Sequence, residues 1–146
     1  MKYTLVLTDV ADEQIRKQII CPLAAYNESK AGPDNYRPLV VALRNEKGSV
    51  EGGLWGYTHF GWFFVHLLVV GESLRGSGWG SQLMGVAEEE AARRGCHDAW
   101  LDTHEFQARG FYEKLGYVKF GELPNFPVGF SRIFLTKRLA KPQGAS

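Results

Sequence analysis

Cysteine is scarce in this chain of 146 residues: only Cys21 and Cys96 are present, far apart in sequence. No nearby histidine gives either one metal-ligand spacing, so no metal is expected and both read as reduced thiols. Charge of one sign is also lacking. Seventeen Lys and Arg against sixteen Asp and Glu leave a formal charge of +1, mixed along the sequence. That balance offers no electrostatic footprint for a nucleic-acid backbone or an anionic membrane, which leaves a small-molecule or peptide partner. Long apolar runs are missing too. The longest, residues 60–70, is interrupted by Gly61 and His66 and is too short to span a bilayer. Residues 1–12 lack the basic segment, apolar run and cleavage site of a signal peptide, so a cytoplasmic location is expected.

What is present suits one ordinary core. A hydrophobic content of 45% predicts a single domain over residues 1–140, and the Pro, Gly and Ser of residues 141–146 predict a disordered tail. Residues 3–8 read as a strand. Asp12 then caps a helix carrying Ile15, Ile19, Ile20 and Leu23 at helical spacing, with Pro22 expected to break or kink it. A second short helix and a loop are expected within residues 24–38. Strands at 39–43, 50–57 and 62–70, with turns at 45–48 and 58–61, form an antiparallel meander that argues against a doubly wound parallel sheet.

A helix over 81–94 places Leu83, Met84, Ala87 and Ala91 on one face, pairs Glu89 with Arg93 and Glu90 with Arg94, and stops at Gly95. Strands at 99–103, 117–120 and 132–139 complete the pattern, with a short helix at 107–115 closed by Gly116.

The chemistry gathers where the apolar strand runs into Arg75-Gly76-Ser77-Gly78-Trp79-Gly80 and a helix begins at once. Such a turn gathers free backbone N–H groups with few side chains in the way, and the helix N-terminus adds partial positive charge. A phosphate or diphosphate fits there without a required lysine, with Arg75 as reinforcement. The plainer alternative is a tight turn whose glycines only avoid steric conflict. A Walker loop is excluded because Gly80 is followed by Ser81 and Gln82, and a dinucleotide fingerprint fits poorly because Ser81 stands where its third glycine belongs.

The pattern Arg-x-x-Gly-x-Gly at Arg75, Gly78 and Gly80, after a strand ending in Leu68, Val69 and Val70, resembles the acetyl-CoA loop of the GNAT superfamily of N-acetyltransferases. Further on, Ala108-Arg109-Gly110-Phe111-Tyr112-Glu113-Lys114-Leu115-Gly116-Tyr117 is similar to that family's second hallmark, a short tyrosine-bearing helix closed by glycine before a strand. The resemblance implies an α+β fold, a mixed and largely antiparallel sheet of six or seven strands flanked by helices. A cleft would lie where the fourth and fifth strands, 62–70 and 99–103, splay. It implies acetyl transfer from acetyl-CoA, as cosubstrate, to a primary amine of a small molecule or peptide.

In that reading the main chain of Arg75, Gly76, Ser77, Gly78, Trp79, Gly80 and Ser81 cradles the diphosphate. Leu68, Val69 and Val70 offer backbone groups to pantetheine and the oxyanion, Phe111 joins the cofactor contacts, and Tyr112 protonates the leaving thiolate. The same fold can also bind acyl-CoA without turnover, as a sensing module, and a homodimer stays open.

Two positions depart from the family. Glu105 stands where many relatives carry asparagine, and Phe64 where some place a glutamate base, so the proton acceptor lies elsewhere. His66 is the first candidate, placed by two-residue alternation on the face of Phe64 and Leu68, since a histidine of ordinary pKa, about 6.5, accepts protons at neutral pH. A lining histidine bonded to structure is the plain alternative. His104 and Glu105 are weaker candidates. The aromatic concentration of Trp55, Tyr57, Phe60, Trp62, Phe63 and Phe64 reads mainly as packing, with a remainder lining an acceptor pocket.

Overall fold

The computed structural model describes residues 1–141, so the expectation for the tail lies, but for Lys141, outside the described residues. The chain divides into two compact units, Met1–Asp34 and a larger one beginning at Asn35. In the first, helix α1 (Glu13–Ala31) starts where the Asp12 carboxylate accepts from the N–H groups of Gln14 and Ile15. It runs through Pro22, where a break or a kink is expected, without breaking, and takes in part of the segment read as a second helix. Proline removes one donor and crowds the preceding turn, but the residues that follow, Leu23, Ala24 and Ala25, are good helix formers and the helix resumes. Gly32, at φ 80°, ends it with an N–H bond to the Glu28 carbonyl. Residues 3–8 form no strand, because a strand exists only where its N–H and C=O groups enter a ladder and these do not.

The second unit is built on six strands: β1 (Arg37–Arg44), β2 (Val50–His59), β3 (Trp62–Val70), β4 (Asp98–His104), β5 (Val118–Leu123) and β6 (Arg132–Arg138). Their order in the sheet is β1-β2-β3-β4-β6-β5. Every neighbouring pair is antiparallel except β3 and β4. This is the mixed, largely antiparallel α+β sheet expected. The β2–β3 turn is tighter than the predicted 58–61: Phe60 at φ 47° and Gly61 at φ 75° supply the two left-handed residues of a two-residue hairpin, so His59 still pairs with Trp62.

Helix α2 (Trp79–Arg93) crosses from β3 to β4, and α3 (Arg109–Lys114) leads from β4 to β5. Leu83, Met84, Ala87, Ala91 and Ala92 of α2 are buried. Of these, Met84, Ala87 and Ala91 meet Phe63, Val65, Leu101, Ile133 and Leu135 of the sheet and Tyr112 of α3 in one core. Gly95 closes α2 at φ 89°, and the Cys96 N–H returns to the Ala91 carbonyl. Of the expected surface pairs, Glu90 takes both Arg93 and Arg94, while Glu89 forms no ion pair among the described residues. Arg94 also donates to the carbonyls of Arg37 and Pro38 and to Thr58, which ties the end of α2 to the β1–β2 edge. On α2's other side, Glu88 accepts from the Tyr117 hydroxyl at 2.7 Å and from Lys137 at 2.8 Å. The helix is thus pinned on both flanks, which fixes where its N-terminus points.

Candidate functional site

β3 and β4 pair only from Trp62 opposite Asp98 to Val65 opposite Leu101. Beyond these residues both strands continue without pairing to each other, which opens a cleft at the centre of the sheet. The opening coincides with an irregularity in β3. Trp55 of β2 pairs with Leu67 and Gly56 pairs with Val65, so His66 is the extra residue of a β-bulge. The alternation of side chains therefore shifts at His66. Leu68 packs against the core with Phe63 and Val65, whereas His66 is exposed and stacks on Phe64 at 5.9 Å. The expectation that His66 and Leu68 share a face is corrected by the bulge, since two-residue alternation holds only while pairing is regular.

Two cavities meet in the cleft. One, of about 410 Å³, is lined by Leu68, Val70, Leu74, Arg75, Gly76, Gly78, Trp79, Gly80, Ser81, Ala108, Phe111 and Tyr112. The other, about 610 Å³, takes in His66, Leu67, Leu68, Val69, Val70, Arg75, Asp102, Thr103, Gln107, Ala108 and Tyr112. Of the cofactor-contact residues and the two leading proton-transfer candidates, His66 and Tyr112, all line one or both except Ser77, which lies exposed on the loop; His104 and Glu105 line neither.

The glycine loop has the features that an anion cradle needs. Gly76 (φ 81°) and Gly78 (φ 83°) are left-handed, and a Cβ on either would meet nothing within 4 Å, so the loop faces open space. Gly78 is the N-cap of α2, and no side chain caps that end. The first main-chain bond there runs from Gln82 to the Gly78 carbonyl, which leaves the preceding N–H groups directed outward. Gly80 serves another purpose: a Cβ there would lie 3.1 Å from the Phe111 ring, so glycine lets α2 and α3 approach each other. The Arg75 Nε makes a long 3.4 Å contact to the Val70 carbonyl, which holds the side chain at the junction of β3 and the loop.

Tyr112 belongs to both cavities and is 8% exposed. Burial, and secondarily the Asp102 carboxylate, push its phenol up to about 12. It therefore stays protonated across the neutral range. No hydrogen bond from a described residue reaches its hydroxyl.

The weaker proton-acceptor candidates are engaged elsewhere. Glu105 accepts from the Ser131 N–H at 2.9 Å while its own N–H donates to the Ser131 carbonyl, which ties the β5–β6 loop to the end of β4. His104 is stacked on Phe106 at an interplanar angle of 7°, with Nδ1 2.8 Å from the Phe126 carbonyl. Of the aromatic concentration, Phe63 is core. Tyr57 and Phe64 are in ring contact on the opposite face, where Phe64 stacks on Trp100 at 4.3 Å.

Asp102, Thr103, Gln107 and Leu74 carry no motif and escape a reading of the sequence. Gln107 accepts from the Thr103 hydroxyl and the His104 N–H, bracing the start of α3 against β4. Only the register of β4 against β6, which sets Asp102 opposite Phe134 and diagonal to Arg132, within reach of its guanidinium, brings the acid into view.

The Acetyltransferase (GNAT) family profile matches residues 8–117. An acetyltransferase of Agrobacterium fabrum is 44% identical over 133 residues, which span 91% of this chain and 97% of that one. Blasticidin-S acetyltransferase of Streptomyces morookaense is 39% identical over 107 residues, 70% of this chain and 79% of that one. Among solved structures, an acetyltransferase from Agrobacterium tumefaciens superposes with a TM-score of 0.88 at 43% identity, covering 94% of this chain and 100% of that one.

Proposed function

Since this chain belongs to the GNAT family of acetyltransferases, we propose that it transfers an acetyl group from acetyl-CoA to the amine of a small molecule by direct attack on the thioester. One observation carries the reading: the uncapped N-terminus of α2 and Tyr112 line the same cavity. The N–H groups of residues 76–81 hold the diphosphate, with Arg75 beside them. The main chain of Leu68, Val69 and Val70, unpaired toward β4, takes the pantetheine arm as an added strand and donates to the oxyanion. Apolar lining from Leu68, Val70 and Phe111 keeps bulk water from the thioester.

His66, on the bulge, takes the proton that the amine nitrogen loses as its bond to the acetyl carbon forms. Tyr112 donates to the sulfur as the carbon–sulfur bond breaks, so that free CoA and the acetylated amine leave. A phenol near 12 facing a thiol of about 8.5 makes complete proton transfer uphill by about 5 kcal/mol, so Tyr112 acts chiefly by hydrogen bonding to the departing thiolate. The test is calorimetry with CoA, followed by thiol release from acetyl-CoA over a panel of small amines that includes blasticidin-S. Amine-dependent release is expected. Tight CoA binding with no release on any amine would turn the reading toward an acyl-CoA sensor.

A further inference from the structure

The cleft holds one carboxylate that the acetyl transfer described above does not use. Asp102 is the only acid among the described residues lining the wider cavity, where it joins His66, Arg75 and Tyr112. It lies on β4 one residue beyond Leu101, the last to pair with β3, and so stands where the strands begin to part. Its side chain is 16% exposed.

Arg132, across the β4–β6 ladder, holds Asp102 from one side: Nε donates to Oδ1 at 2.8 Å and Nη2 closes on the same oxygen. The guanidinium is itself fixed, lying 4.7 Å from the centre of the Phe126 ring. A carboxylate offers several lone pairs, and both Arg132 contacts fall on Oδ1, which leaves Oδ2 for a donor entering the cleft.

We propose that Asp102 binds the acceptor's ammonium group through Oδ2, and that the acceptor is therefore a small cationic amine with no carboxylate next to the amine. The inference rests on the acetyl-transfer reading above. A carboxylate adjacent to the amine meets Asp102 at close range, and Arg132 is already engaged, so α-amino acids are disfavoured. Asp102 and Tyr112 line the same cavity, which sets the acid at the reacting end of the cleft, and the Asp102 charge helps to raise the phenol. The bound cation first gives one proton to solvent through His66, which returns to the neutral form; His66 then takes the second proton as the nitrogen–carbon bond forms, and Asp102 keeps its hydrogen bond to the N–H that remains until then.

The experiment compares wild type with Asp102→Asn and Asp102→Glu on alkyl- and arylalkylamines and on the α-amino acids bearing the same side chains. The expected result is an amine KM raised about 10–100-fold in Asp102→Asn, the range of one charged hydrogen bond, with kcat changed less and the Kd for CoA within about twofold. Asp102→Glu recovers part of the loss, and wild type prefers amines to their amino-acid counterparts. An unchanged amine KM in Asp102→Asn overturns the inference and leaves the acetyl-transfer reading standing. A parallel loss of CoA affinity marks a structural role and overturns it as well. Should Asp102→Asn not fold, Asp102→Glu and the wild-type preference decide, and equal use of amines and amino acids is then the overturning result. A wild type that neither binds nor acetylates any amine removes both readings at once.

Discussion

At the glycine-loop end of the cleft the lining is mostly main chain and apolar side chain, from Gly76, Gly78, Gly80, Leu68, Val70 and Phe111, with Arg75 beside them. At the other end it includes side chains that carry charge or exchange protons: His66, Asp102 and Tyr112. The first kind of surface recognises an anion through N–H groups that every sequence possesses, provided glycine allows the backbone conformation. The second kind depends on particular side chains brought together from β3, β4 and α3. A cosubstrate shared by a whole family suits the former. In the proposed reading, choice of acceptor belongs to the latter, where one substitution is expected to change what is recognised.

Substitutions that strike one end and spare the other test this division. The largest effect is expected at His66. His66→Ala lowers turnover by about 10²–10⁴-fold at neutral pH, the usual span for a lost general base, and leaves the Kd for CoA unchanged. Activity recovers in part as pH rises and more amine is neutral. A variant with the wild-type pH profile assigns the proton to water or to another group. The mirror experiment is Gly78→Asp, which puts a negative charge at the uncapped end of α2. CoA affinity falls by on the order of 100-fold by calorimetry. Thermal stability changes little, because the strain of a left-handed aspartate is offset by capping the helix. Unchanged affinity in this variant would remove the glycine loop from the site.

Tyr112 touches both ends, and its contribution is smaller. Tyr112→Phe keeps the ring in the core and removes the hydroxyl, and we expect turnover down by at least about tenfold, the low end for a lost proton donor. The phenol lies near 12, raised from its ordinary value, so it donates across the whole assay range and imposes no alkaline limb on the rate below that pH. The same shift has a stability consequence. Folding favours the protonated phenol, so its contribution is complete below about pH 10 and is lost as pH rises toward 12. Single-turnover rates equal to wild type in the Phe variant would exclude Tyr112 as the donor.

The sequence exposed these two ends unequally, and locality is the reason. Residues 75–81 form the loop and helix start within a few positions, so glycine spacing after a strand is enough to read it. The apolar face of α2 was legible on the same ground. The bulge at His66 was not, because it depends on pairing across β2. A Cβ on Gly56 would overlap the Phe64 carbonyl, and that close backbone approach beside the bulge has no periodic signature in β3 itself. Asp102 was hidden for a related reason. On its strand it looks like any solvated acid, and the partner that fixes it, Arg132, stands thirty residues away. Local helix propensity likewise carried α1 through Pro22, where a single-residue rule predicted a break or a kink.

The smallest effect, and the sharpest test of what belongs to the acceptor end, is at Glu105. As an acid at the end of β4 it could serve as a base, yet its Oε1 accepts the Ser131 N–H at 2.9 Å and so fastens the β5–β6 loop. Glu105→Gln keeps an acceptor oxygen in the same place and removes the basicity. Turnover is therefore expected to stay within about twofold of wild type, with the pH profile unmoved. Glu105→Ala removes the acceptor as well and leaves the Ser131 N–H to water. The loop then loosens, which costs about 1 kcal/mol in stability and weakens amine binding without changing CoA affinity. Urea unfolding and amine KM measured on both variants separate the two roles. If Gln fails as badly as Ala while the protein stays equally stable, Glu105 is handling a proton, and the line between anchoring and reacting side chains at this end of the cleft has to be redrawn.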